Sequence, residues 1–206
     1  MVRVIFALLL VVAPFGLISA SANESYEAMV ARAKGGDVTI DFTALRDAYA
    51  ASAHYQPEGG DYDQPRSAMI DAFNAKDCAK ALAAADKVLD SIFIDISAHI
   101  VSGRCFEVGG DAPKAEFHRA IARGLVQSIL ASGDGKTPKT AYVVVAVSEE
   151  YDVLTALGLK LGVQSLVQDD GHSYDKMDAT SVSGAPVTLF FQIDRPMEWL
   201  SHSLQH

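Results

Sequence analysis

The sequence predicts an α+β fold, in which an N-terminal helical layer packs on a C-terminal, mainly antiparallel sheet with two helices. Three observations support this prediction. Apolar residues recur at helical spacing through residues 24–130. After Gly133 the composition changes to runs that are rich in β-forming residues. The order of elements there is strand, helix, strands and helix, which is typical of an α+β region.

Residues 1–22 have the layout of a secretory signal peptide. A short basic start with Arg3 precedes an unbroken apolar run from Val4 to Val12, and Ala20-Ser21-Ala22 is a small-x-small cleavage site. The apolar run is too short to cross a bilayer as a mature helix. We therefore expect a soluble periplasmic or secreted protein of residues 23–206, with no membrane insertion after cleavage.

The net charge limits the kinds of partner. The full chain carries −9, and loss of Arg3 with the signal peptide makes this −10. Binding to nucleic acid needs a basic surface that neutralises phosphates, and docking on an anionic membrane needs the same. We therefore expect no nucleic acid and no membrane as partners, and a protein or peptide instead.

The pattern of residues 23–132 predicts a short stack of helices. They are predicted over 24–34, 42–53, 66–75, 77–90, 96–110 and 112–130. Two segments, which begin at Ala72 and Cys105, each pass from a helix through a polar turn into an Ala-rich helix. Their offset of roughly 32 residues is near the period of tetratricopeptide repeats. The consensus Trp and closing Pro are missing, so we expect a layer that is only tetratricopeptide-like.

The two cysteines, Cys78 and Cys105, predict a disulfide. Each lies on a predicted helix, and the two helices are joined by a short link near Ser91 and therefore run antiparallel. Residues equidistant from such a link face each other, and both cysteines are about equally far from it. Export would take them to an oxidising compartment. The alternative is two small buried thiols.

The C-terminal region, residues 133–206, supplies the sheet. Residues 141–147 and 187–193 are apolar on both faces and predict central strands that are covered on both sides. Shorter, mixed strands are predicted over 161–168 and 175–182, and helices over 148–157 and 196–204. If one sheet face packs these two helices and the other packs the helical layer, residues 23–206 form one compact unit.

A glycine-lysine-threonine triplet at Gly135-Lys136-Thr137 suggests a phosphate-binding loop, but its context excludes one. Leu130 occupies the position that requires the first glycine of such a loop. A helix precedes the triplet and a strand follows it, so the helix N-terminus that would bind an anion is missing. We expect no nucleotide and no other cofactor.

Several stretches resemble one known family. These are SGDGKTPKTAYVVVAVSEEYDVLTALGL, then QSLV and GHSYD, and DFTALRDAYAASAHYQP nearer the N-terminus. Together they resemble the bacterial domain-of-unknown-function family 4919, from about Tyr26 to Leu204. The resemblance implies a secreted or periplasmic protein with tetratricopeptide-like helices. It implies no activity and supplies no catalytic residues.

One group of polar residues is a candidate binding site. Glu149 and Glu150, near Asp152, would serve as paired acids only if their environments separate their pKa values. The alternative is that they occupy the first turn of a helix, where negative charge suits the helix dipole. If the predicted turn at GHSYD folds over the sheet edge, three of its residues could join the two glutamates. The candidate polar site therefore comprises Glu149, Glu150, His172, Tyr174 and Asp175.

The stretch GHSYD resembles a hydrolase nucleophile elbow, but Asp175 stands where that motif requires glycine. Polar residues also replace the strand and the helix that must flank the motif. We therefore expect a hairpin turn and do not expect Ser173 to be a nucleophile.

The histidines are weak candidates for ligand binding. His99 and His118 fall on adjacent helices and are either packed core residues or part of a helical groove. His202 and His206 lie four residues apart at the terminus, where any grip on a metal would be weak. We expect no dedicated metal site.

Three functions remain open from the sequence. The first is a non-enzymatic envelope protein whose helical half offers a groove to a peptide or a partner protein. The second is a small hydrolase or transferase that uses Glu149, Glu150, His172 and Asp175. The third is an inhibitor or immunity-type protein, which only the acidic charge suggests.

Overall fold

A computed structural model describes residues 24–57, 60 and 62–204. The predicted signal peptide and His206 lie outside the described residues. The helices are α1 (Tyr26–Lys34), α2 (Phe42–Ala50), α3 (Asp63–Asn74), α4 (Cys78–Ser91), α5 (Ile96–Val108), α6 (Ala112–Leu130), α7 (Ser148–Ala156) and α8 (Asp194–Ser203). The strands are β1 (Tyr142–Val143), β2 (Leu159–Asp169), β3 (His172–Ser181) and β4 (Pro186–Gln192). The predicted α+β class, with N-terminal helices packed against a C-terminal sheet, is confirmed.

Five of the N-terminal helices begin at a capping side chain. In each case the side-chain oxygen accepts a hydrogen bond from a backbone N–H of the first turn, which otherwise has no partner. These caps are Ser25, Asp41, Asp77, Asp95 and Asp111.

Helix α3 begins earlier than predicted. The prediction placed its start after Pro65, but the helix begins at Asp63 and Pro65 lies within its first turn. A proline is tolerated there because the backbone N–H that it lacks would have had no helical acceptor.

The disulfide between Cys78 and Cys105 is confirmed. Cys78 is the first residue of α4 and Cys105 lies near the end of α5, with 5.2 Å between their Cα atoms. Because the bond joins the start of one helix to the end of the next, it closes the open end of an antiparallel helix pair. Cys105 is buried in a small core with Met69, Ala85 and Val101.

The sheet has four strands in the order β1-β4-β3-β2. β4 pairs with β3 and β3 with β2 in antiparallel fashion, while β1 runs parallel to β4. β2 and β3 are the longest strands, not short ones as predicted. They are joined by Asp170 and Gly171, both with positive φ (49° and 83°), as a two-residue hairpin turn requires.

The run at residues 141–147 is not a central strand, which corrects the prediction. Only Tyr142–Val143 pair with β4, and this short β1 lies at the edge of the sheet. Beyond it, Val144 and Val145 are buried. The Val144 N–H still donates to the Gln192 carbonyl of β4, but two carbonyls of this segment bind side chains: that of Val143 accepts from Arg46 and that of Val145 from Tyr55.

The sheet also has only one fully buried face. In β4, Leu189 and Phe191 are buried, whereas Phe190 between them is half-buried and Thr188 before them is exposed. Leu189 and Phe191 share one hydrophobic core with residues of the helical layer, such as Leu125 on α6 and Val153 on α7. The prediction that both faces are covered is therefore wrong, because the helical layer and α7 contribute to the same core.

Candidate functional site

Glu149 is the centre of a buried ion pair that joins the helical layer to the C-terminal region. Arg46 of α2 donates to both of its carboxylate oxygens, from Nε at 2.8 Å and from Nη2 at 2.7 Å. The Val145 backbone N–H donates to the same carboxylate at 2.8 Å. Burial lowers the pKa of Arg46, but the charge and hydrogen bonds of Glu149, with the charge of Asp47, together outweigh burial and leave that pKa raised. Both oxygens of Glu149 are thus occupied within the protein.

A second acidic group lies beside this pair on α7. Asp152 is buried and accepts a hydrogen bond from the Ser97 hydroxyl at 2.7 Å. Burial, together with the charges of Asp95 and Glu149, raises the pKa of Asp152 to about 7, although Ser97 and Arg66 oppose the rise. This carboxyl therefore keeps its proton to a much higher pH than an exposed aspartate does.

Arg66 connects Asp95 to this group. Its Nε donates to Asp95 at 2.9 Å, and its Nη2 donates to the Ser97 hydroxyl at 3.3 Å. Asp95 also caps α5 through the Ala98 N–H. The buried carboxylate of Asp95 thus both pairs with the Arg66 charge and caps helix α5.

Glu149 and Glu150 do occupy the first turn of α7, which the first-turn alternative requires. They are not on a solvated face, however, because Glu149 is only 3% exposed and Glu150 is fully buried. Ser148 is the first helical residue, and no side chain caps this end of the helix by a hydrogen bond. The helix is instead stabilised at this end by burial against the helical layer.

The hairpin residues form a separate polar group. His172 Nδ1 lies 2.6 Å from an oxygen of Asp194, and the other oxygen of Asp194 accepts from the Ser173 backbone N–H at 2.8 Å. Asp194 is the first residue of α8, a helix that has no side-chain cap hydrogen bond. It binds the β3 strand instead, which fixes α8 to the sheet.

Tyr174 and Asp175 lie on opposite faces of β3, because side chains alternate along a strand. Tyr174 is buried and lines a cavity of about 370 Å³ with His172, Asp169 and Lys139. Asp175 accepts a hydrogen bond from Gln164 at 2.7 Å on the other face.

The structure therefore brings His172 and Tyr174 together but separates them from the α7 acids. Glu149 lines a different and much smaller cavity of about 20 Å³, between α2 and α5. None of the cavities that we describe is lined by both Glu149 and His172. The role of the five residues in binding stays a prediction.

His99 and His118 join α5 to α6. His99 is fully buried, and its Nε2 lies 2.7 Å from the Phe93 carbonyl oxygen, which only accepts hydrogen bonds. Nε2 therefore carries the proton and Nδ1 is an acceptor. His118 Nδ1 lies 3.0 Å away and must donate. Burial lowers the pKa of both rings, that of His99 to about 3.

The two rings lie in closely packed surroundings between α5 and α6. The His118 ring stacks on Phe106, with 5.6 Å between ring centroids. Neither histidine lines a cavity that we describe, and helix α6 approaches α5 closely at Gly103, where an added Cβ would lie 3.4 Å from the Ala115 carbonyl. None of these cavities supports the predicted groove at His99 and His118, which stays a prediction.

A groove that the sequence analysis missed lies between α1, α2 and α8. It consists of a cavity of about 770 Å³ next to α1 and an adjoining one of about 420 Å³ next to α8. The two share Asp47, Ala51 and Arg195. We call this surface the α2 groove. Its lining is Glu24, Ser25, Tyr26, Glu27, Met29, Arg32, Asp41, Ala44, Asp47, Ala48, Ala50, Ala51, Ser52, Ala53, Tyr55, Arg195, Glu198, Trp199 and His202.

The α2 groove has a small-residue floor and an acidic rim. Five alanines line it, along with five carboxylates and two arginines. Arg195 pairs with Asp47 at 2.7 Å, and Arg32 pairs with Glu24 at 2.7 Å. The only signal in the sequence was the spacing of Ala44, Ala48 and Ala51 on the outer side of α2, which alone does not indicate a groove.

Membrane and metal sites are not found among residues 24–57, 60 and 62–204. None of the helices there combines the length and hydrophobicity that a membrane-spanning helix requires. The same residues contain no group of three or more His, Cys, Asp or Glu side chains that could hold a metal ion.

Comparison with known proteins gives one match. The family described as Domain of unknown function (DUF4919) matches residues 17–202. Neither a curated protein nor a solved structure matches the chain.

Proposed function

Because the chain belongs to the DUF4919 family, whose description names no activity, we propose a function from geometry: the protein is an exported, non-enzymatic interaction module. It binds an extended basic segment of a partner protein in the α2 groove. The observation that carries this proposal is the groove itself, with its alanine floor and acidic rim.

The shape of the α2 groove suits an extended chain. Its two cavities meet at Asp47, Ala51 and Arg195, so they form one continuous trough. Ala44 and Ala48 project only a methyl group each, and a bound backbone could therefore approach α2 closely. Small-molecule sites, in contrast, enclose most of their ligand within an apolar pocket.

The charge of the α2 groove favours a basic segment. Carboxylates outnumber arginines by five to two, and both arginines are already paired with groove carboxylates. Trp199 and Tyr55 line the end nearer α8. Lysine and arginine side chains are attracted to the faces of such rings as well as to carboxylates.

Export is the second part of the proposal. The signal-peptide pattern of residues 1–22 and the disulfide between Cys78 and Cys105 both support it. Structural disulfides persist in oxidising compartments such as the periplasm and the extracellular space. We therefore place the partner in the same compartment.

The enzyme alternative has no geometric observation in its favour. It needs Glu149 as an acid or base, and that carboxylate already binds Arg46 and the Val145 N–H. It also needs His172 nearby, whereas His172 lines a different cavity with Asp194 as its hydrogen-bond partner.

The test compares fluorescent twelve-residue random peptide pools of net charge +4 and −4, with binding to the mature protein measured by fluorescence polarisation. We expect the basic pool to bind and the acidic pool not to. Ala51→Arg places a large cation at the point shared by both cavities and should weaken binding at least tenfold. Ala83→Arg, on the exposed face of α4, is the matched control and should leave binding unchanged.

Two results would overturn the proposal. One is equal binding of the two pools, and the other is a pool whose affinity is the same for Ala51→Arg and wild type. A crosslinking pull-down from the native envelope, with the same two variants, then identifies the physiological partner.

A further inference from the structure

The strand β2 has an open edge. It is eleven residues long, and all its pairing is with β3 on one side. Within the described chain, no backbone hydrogen bond is made from its other side. The side chains of Val163 and Leu166 on this strand are 62% and 55% exposed. Natural proteins usually cover or shorten such an edge, because its unpaired N–H and C=O groups are a template for another strand.

A bulge at Gly162 decides which side chains of β2 share a face. The register with β3 shifts between Leu161 and Val163, so Gly162 is an extra residue. Residues directly opposite each other in an antiparallel pair lie on the same face. The β2 residues opposite Thr180, Asp178, Lys176, Tyr174 and His172 therefore share the face away from the buried core. They are Lys160, Val163, Ser165, Val167 and Asp169.

This row of side chains is complementary to itself. Read forwards it is Lys-Val-Ser-Val-Asp, and read backwards it places an acid opposite the base, valine opposite valine and serine opposite serine. When the extra residue Gly162 is left out of the count, two antiparallel copies related by a two-fold axis through Ser165 would set Lys160 against Asp169 of the second copy. They would also set Val163 against Val167 of the second copy. Neither Lys160 nor Asp169 makes an ion pair among the residues that the structure describes.

We propose that two copies of this chain pair through their β2 edges and form one continuous eight-stranded sheet. A parallel two-fold arrangement is disfavoured because it turns one copy over and sets the outer face of one sheet beside the core face of the other. The two-fold axis between antiparallel strands keeps each face continuous, so the exposed Val163 of each copy meets the half-buried Val167 of the other. No residue of β2 lines the α2 groove, and both grooves therefore stay open in the dimer.

The test uses the charge pair that defines the register. Mature wild-type protein is expected to sediment at twice the monomer mass in analytical ultracentrifugation at micromolar concentration. Lys160→Glu or Asp169→Lys alone sets like charges against each other twice per dimer, and each should weaken dimerisation at least tenfold. Lys87→Glu, an exposed change of the same charge on α4, is the control and should have no effect.

Mixing the two single variants separates this interface from any other. In a heterodimer of Lys160→Glu with Asp169→Lys, both charge pairs are again opposite in sign, so the equimolar mixture should recover the dimer that neither variant forms alone. The double variant should recover it as well. A wild-type monomer at all concentrations would overturn the proposal, and so would a dimer that is insensitive to these charges. If the β2 edge pairs with a strand of another protein instead, the purified wild type would be such a monomer.

Discussion

Replacement of Glu149 by Gln tests the buried ion pair that joins α2 to α7. Both side chains of the pair are at most 5% exposed, and Arg46 would keep its charge without the carboxylate that binds its Nε and Nη2. Removing one partner of a buried pair costs about 3–5 kcal/mol, because the remaining charge is left uncompensated. Domains of this kind are stable by only about 5–15 kcal/mol in total. We therefore expect Glu149→Gln to remove a large share of the free energy of unfolding at 25 °C.

Urea denaturation of the oxidised mature protein, followed by far-ultraviolet circular dichroism, measures this effect. The matched control is Glu116→Gln, because Glu116 forms an exposed ion pair with Arg119 at 3.2 Å. Such surface pairs contribute about 0–1 kcal/mol. The double variant Arg46→Met/Glu149→Met buries no charge and should be more stable than Glu149→Gln. A Glu149→Gln protein within about 1 kcal/mol of wild type would refute the reasoning.

Three further predictions follow from individual residues. Replacing Cys78 and Cys105 by Ser should lower the free energy of unfolding by about 3.5 kcal/mol, from the loop that the disulfide closes, and equal urea midpoints for oxidised and reduced wild type would contradict this. The folded-state pKa of Asp152, about 7, exceeds its ordinary 3.8, so its contribution to stability is full below pH 4 and is lost as the pH rises through 7. Asp152→Asn should therefore make the free energy of unfolding depend less on pH between pH 4 and 8. If that dependence is unchanged in the variant, Asp152 is not its cause. Gly171→Ala should cost about 1–2 kcal/mol because φ is 83° there. Gly109→Ala, at φ −76°, should cost much less, and thermal melts that rank the two variants the other way would exclude backbone strain as the cause.

Features with short-range causes could be predicted from the sequence. The predicted starts of α2 and α6, at residues 42 and 112, are correct, because each depends on a cap, Asp41 or Asp111, that binds a backbone N–H only three positions away. The disulfide could be predicted because Cys78 on α4 and Cys105 on α5 are about equally far from the link between the two helices. The hairpin turn at Asp170 and Gly171 lies where the polar turn residues indicate it.

Features with long-range causes could not be predicted. The run at 141–147 has the composition of a central strand, but its backbone groups bind Arg46 and Tyr55, which are 97 and 90 positions away in sequence from their acceptors. Glu149 looked like either a solvated first-turn acid or a catalytic one. Its actual partner, Arg46, is 103 positions away, and no local pattern connects the two.

The hydrogen bonds between His118, His99 and the Phe93 carbonyl have a fixed direction. Each ring donates toward the core, so the nitrogen of His118 that is left to take up a proton is Nε2, which does not contact His99. Acidification can therefore protonate the His118 ring while both hydrogen bonds, from His118 to His99 and from His99 to the Phe93 carbonyl, keep their donors. The contact between α5 and α6 should thus survive mild acid, with the disulfide-linked helix pair still docked on α6.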